Sequence, residues 1–120
     1  MYGLNDNIDL SILNGSELTQ VTIGLYQVAF NFFKNVAVSV EGKFVYFDGE
    51  TEWTWEHKQT SCFVAARTVA LLGATIQSFE RNTDGTLVLF FSNGHRLTVL
   101  DPTKEFESYT VTWPGHTVVV

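Results

Sequence analysis

The feature that most constrains this chain is a pattern it uses twice. Leu13-Asn14-Gly15, Leu18 and Val21 recur as Leu71-Leu72-Gly73, Ile76 and Phe79, 58 positions on. After one residue of drift, Val28, Phe30 and Phe32 recur as Leu87, Leu89 and Phe91, and Val36, Val38 and Val40 recur as His95, Leu97 and Val99, 59 positions on. Apolar residues at every second position are the signature of half-buried strands, so the pattern dictates which way side chains point in two separate stretches. A glycine stop followed by alternating segments describes a helix-plus-meander unit, made twice. The expected fold is therefore α+β, with antiparallel sheet from two pseudo-repeated units, about 7–56 and 60–112, in one domain over 1–120. One main helix, about 60–72, is expected to pack on a sheet; it carries few charges, so it is expected to be covered on most sides.

Loop lengths follow from the same alternation. A three-residue loop of Phe33, Lys34 and Asn35 pairs Phe32 with Val36, Phe30 with Val38 and Val28 with Val40, placing all six on one face. A two-residue loop would slip the register by one and mix the faces. In the second copy Ser92-Asn93-Gly94 makes the same choice, with Gly94 where a left-handed backbone is needed. The first copy carries an additional hairpin about Asp48-Gly49-Glu50-Thr51, which sets Tyr46 opposite Trp53 and Phe44 opposite Trp55. A last hairpin turns at Trp113-Pro114-Gly115-His116 into the strand-like Thr117-Val118-Val119-Val120. A short helix is expected over residues 7–13.

Composition narrows the function. There are 13 acidic and seven basic residues, net charge −6, and the basic ones stand singly, so no cationic stripe exists to meet a phosphate backbone or an anionic membrane. Nucleic acid and membrane are excluded as expected partners. The start of the chain lacks a basic n-region and an apolar h-region, and no apolar run reaches membrane-spanning length, so a cytoplasmic location is expected. A single cysteine, Cys62, excludes an intrachain disulfide.

The second half, Leu72-Gly73, then Asp84-Gly85-Thr86-Leu87-x-Leu89-x-Phe91-x-Asn93-Gly94-x-x-Leu97-x-Val99, then Phe106-Glu107-Ser108-Tyr109, resembles a set of small uncharacterised bacterial domains classed as a domain of unknown function. The resemblance implies an α+β fold and brings no active-site motif. Similar orphan proteins occur among mobile gene cassettes and toxin-immunity loci, which implies an accessory or immunity-type role.

Chemistry-bearing residues are sparse. His57, Cys62 and Glu56 would be the parts of a thiol nucleophile, and His57, His95 and His116 those of a metal site, yet neither set has a recognised spacing. The carboxylate pairs Glu50/Glu52 and Glu105/Glu107 lie two apart, as on a solvated strand face. No catalytic residue, cofactor or metal ligand is assigned. Phe44, Tyr46, Trp53 and Trp55 form the candidate interface or ligand surface, unless they pack on the second helix. The expected function is that of a small acidic, non-enzymatic binding or interaction protein. Its partner is another protein or a second copy (a homodimer), met through a sheet edge or the aromatic hairpin. The alternatives are a binder of a small apolar ligand in an aromatic-lined pocket, and an enzyme of unknown class.

Overall fold

A computed structural model of the chain describes residues 8–56, 62–102 and 107–120. Among them ten strands form two antiparallel sheets of five. In chain order these are β1 (Leu18–Ile23), β2 (Val28–Phe32), β3 (Val36–Val40), β4 (Lys43–Phe47) and β5 (Glu52–Glu56), then β6 (Ile76–Arg81), β7 (Leu87–Phe91), β8 (Arg96–Leu100), β9 (Tyr109–Trp113) and β10 (His116–Val119). The first sheet runs β1-β2-β3-β9-β10 and the second β5-β4-β8-β7-β6.

The hairpins pair as the alternation demands. Val28, Phe30 and Phe32 oppose Val40, Val38 and Val36, and Leu87 and Leu89 oppose Val99 and Leu97. The loop between β2 and β3 holds Lys34 and Asn35 at positive φ, and its counterpart between β7 and β8 holds Gly94 there. β1 meets β2 with a register shift between Leu18 and Gln20, and β6 meets β7 with one between Ile76 and Ser78.

Where the two sheets touch, Glu17 and Thr75 form an isolated antiparallel bridge. Four main-chain bonds flank it. Gly15 N donates to Ile76 O (2.7 Å), Gly73 N to Leu18 O (2.9 Å), Ile76 N to Ser16 O (3.0 Å) and Leu18 N to Ala74 O (2.9 Å). Each has a partner bond 58 positions away with donor and acceptor segments exchanged.

The β4–β5 and β9–β10 hairpins change sheets. β4, which follows β3 in the chain, pairs with β8. β9, which follows β8, pairs with β3. The β4–β5 hairpin thus extends the sheet of β6, β7 and β8, and the β9–β10 hairpin extends that of β1, β2 and β3. Inner faces meet in one core. Phe30 of β2 contacts Phe44 of β4 edge-to-face (5.4 Å), and Phe32 stacks on Phe91 (6.4 Å, 14°). Phe30, Val38, Phe44, Leu89 and Val99 are fully buried there.

Helix is scarcer than the periodicity suggests, and the domain is mostly β. Of the segment expected as a helix over 60–72, residues 60 and 61 lie outside the described residues, and the rest is α1 (Cys62–Arg67) followed by a 3-10 turn at Thr68–Leu71. It is not covered on most sides. Ala65, Thr68 and Leu71 are buried, whereas Phe63 is 81% exposed and Val69 and Leu72 about half exposed. A helix this short reaches the core with one row of side chains, however few charges the others carry. The expected helix over 7–13 is a 3-10 turn at Ser11–Leu13, with residue 7 outside the described residues.

Candidate functional site

The aromatic hairpin forms with the register expected, Phe44 opposite Trp55 and Tyr46 opposite Trp53. Its rings point inward, because β4 lies between β5 and β8 and its apolar face meets the other sheet. Phe44, Tyr46 and Trp55 are at most 2% exposed. Phe44 stacks on Trp55 (5.4 Å, 13°). These three rings are core, so they present neither an exposed patch nor the wall of an open pocket. β2 covers Phe44 through Phe30, and α1 lies against β5.

Trp53 alone is half-buried. Its Nε1 donates to Asp48 Oδ2 (3.0 Å), and the Arg67 guanidinium of α1 lies 3.7 Å from its ring centre. Asp48 Oδ1 also accepts from Glu50 N (3.0 Å) and Thr51 N (2.8 Å), the pattern of an aspartate stabilising its own turn. The Thr51 and Glu50 amides and the Trp53 indole hold the carboxyl down at about 2. His95 lies close enough to add to the effect.

His95 Nδ1 and Tyr46 Oη are 2.7 Å apart, a bond in which either can donate according to the imidazole tautomer. Burial raises the Tyr46 hydroxyl's pKa, with the Asp48 charge adding to it. The residue 59 positions earlier is Val36, buried. The recurring apolar pattern of the sequence breaks at this polar pair. That break is the sequence signal by which His95 could have been tied to the aromatic hairpin.

His95 and His116, the candidate imidazoles among the described residues, lie in different sheets. His116 is exposed and stacks on Trp113 (5.2 Å, 23°) in the first sheet, while His95 belongs to the second. His57 and Glu105 lie outside the described residues. Cys62 is exposed at the start of α1. Among the described residues no three His, Cys, Asp or Glu side chains gather as metal ligands. Glu52 and Glu56 are paired with Arg96 and Lys43 (3.1 and 3.2 Å). Asp84-Gly85 is a turn, with Asp84 Oδ1 accepting from Thr86 N (2.9 Å). Tyr109 Oη donates to Gly85 O (2.6 Å) and Ser108 Oγ to Asp101 Oδ1 (2.7 Å). The distant parts of the Asp-Gly and Ser-Tyr pattern are thus one structural clasp.

A surface groove of about 510 Å³ is lined by Ile8, Asp9, Trp113, His116, Thr117 and Val118, away from the aromatic hairpin. No described helix is long and apolar enough to cross a membrane.

The outward faces of the two sheets differ in charge. Across the first sheet, the registers align Thr22, Ala29, Ser39, Thr110 and Val119 in one row, and Asn31, Ala37, Thr112 and Thr117 in the next. None carries a charge. The corresponding face of the second sheet carries Lys43, Glu52, Glu56, Glu80 and Arg96.

Fold and side-chain chemistry together define a small two-sheet β domain whose polar clusters fasten turns and hairpins. The chain belongs to the family of unknown function DUF6188, whose profile matches residues 10–120. No curated protein and no solved structure matches it.

Proposed function

We propose that this chain is a small acidic interaction protein that associates with itself and acts without catalysing a reaction. The observation that carries this is the charge-free outward face of the first sheet, on a chain of net charge −6. The centres of protein interfaces are depleted of charged residues. Two copies of an acidic chain meet most easily where neither presents charge, because a two-fold contact sets the same patch of each copy against itself. The reading therefore moves the contact from the aromatic hairpin, which is core, to the first sheet. The paired bonds about the Glu17–Thr75 bridge support a second reading of origin, a helix-and-meander module doubled within one chain.

Light scattering across a range of concentrations tests the function. The expected native mass is twice the 13.5 kDa of one chain. A mass of one chain at every concentration would remove the proposal.

A further inference from the structure

We infer that β10 is the edge through which two copies join, each β10 running antiparallel to the other about a two-fold axis at Val118. The inference rests on the self-association reading and names its surface.

Four strands end the two sheets, β1 and β10 in the first, β5 and β6 in the second. An open strand edge is a template for another strand, and native proteins blunt it with charge or cover. Three of the four are blunted here. β1 is tied at Leu18 to Gly73 and Ala74 and lies against α1 and the turn after it. β6 is tied at Ile76 to Gly15 and Ser16, lies against the turn at Ser11–Leu13, and carries Glu80 and Arg81. β5 carries Glu52 and Glu56 and has α1 alongside. β10 reads His116, Thr117, Val118, Val119, with no charged residue, and its extensive contact among the described residues is with β9. Asp9 is the charged side chain among those lining the groove beside it.

The ladder says which groups are free. Val120 N donates to Tyr109 O, and Tyr109 N to Val120 O, which makes this a hydrogen-bonded pair. Such pairs alternate along an antiparallel ladder, so Val118 bonds to Val111 and His116 to Trp113, while Thr117 and Val119 turn their N–H and C=O groups away from β9. An axis at Val118 sets Thr117 of one copy against Val119 of the other. Both then exchange both bonds, and the charge-free outer face continues across the join. A self-pairing of β5 or β6 would bring carboxylates of the two copies together.

The test compares native mass and amide exchange for the full chain and three variants. Wild type is expected to be a dimer, with Thr117 and Val119 amides protected in the dimer and unprotected on dilution, and Val118 protected in both. Val119→Lys places two like charges beside the axis. Thr117→Pro removes an outward N–H, a change edge strands tolerate. Both are expected to give a folded monomer by circular dichroism, while Phe63→Glu on α1 leaves the dimer intact. A folded, dimeric Val119→Lys protein overturns the assignment to β10 but leaves self-association standing, and so does a Phe63→Glu monomer. Should Thr117→Pro fail to fold, Val119→Lys and the exchange pattern decide. A wild-type monomer at all concentrations overturns both this inference and the reading beneath it.

Discussion

Single residues show how little of this chain's polar chemistry is spare. Asp48 accepts three hydrogen bonds and sits at about 2, below the ordinary 3.8. A carboxylate depressed on folding adds stability that is full above its unfolded pKa and lost as pH falls through the folded one. Asp48→Asn is therefore expected to lower the melting temperature at neutral pH. It should also flatten the change in stability between pH 3.8 and about 2, as followed by thermal unfolding in that window. The Tyr46–His95 bond gives a second expectation. His95→Val restores the residue type found at Val36 but strands a hydroxyl on a side chain only 1% exposed. The cost is about 1–3 kcal/mol in urea unfolding, and Tyr46→Phe in the same chain should recover part of it. Independent, additive effects would show that the two groups are not coupled.

At the scale of elements, turns decide where strands lie. Gly85 has φ +94°, and a Cβ there would stand 2.6 Å from Asp101 Oδ2 and 2.9 Å from Asp101 Cβ. Its carbonyl receives the Tyr109 hydroxyl, so the turn before β7 locks the start of β9. Gly85→Ala is expected to cost about 1–3 kcal/mol of unfolding free energy, from an unfavoured backbone and a close contact. An unchanged urea midpoint would show that the turn is not a clasp. Strand positions and hairpin registers were legible in the sequence, because a period of two and a positive-φ loop residue are local properties. The helix was not. Its low charge was legible, but which sides meet the core depends on where β1 and β5 lie, and those lie against it only after folding. The aromatic hairpin is the same case. Its cross-strand pairs were readable, but not its burial, since the covering Phe30 comes from the other sheet.

For the whole molecule, the two sheets divide the labour of charge. The outward face of the second bears five charged side chains, two of them paired across strands with Glu52 and Glu56, and the outward face of the first bears none. If copies meet through the first sheet, no interfacial ion pairs exist for salt to screen. The long-range repulsion between two chains of −6 does remain to be screened. The proportion of dimer should therefore hold or rise as salt is added. A steep loss of dimer with salt, measured by light scattering, would point to an ionic interface elsewhere.

Sequence alone determined the strands of the β2–β3, β4–β5 and β7–β8 hairpins, their inward faces and the length of their loops, because those depend on neighbours two to ten residues apart; in β1 a register shift after Leu18 leaves Thr19 and Ile23 exposed instead of facing in with Val21. It also determined that the chain is acidic without a cationic stripe. Only the tertiary structure decided that the hairpins after β3 and β8 trade sheets, that Phe44, Tyr46 and Trp55 are core, and that β10 ends the first sheet among the described strands. The exchange of hairpins hangs on main-chain pairing between residues far apart in the chain, such as Phe44 with Val99 and Val38 with Val111. A backbone amide bonds to any carbonyl brought before it, so no side-chain pattern in the sequence announces which one it will meet.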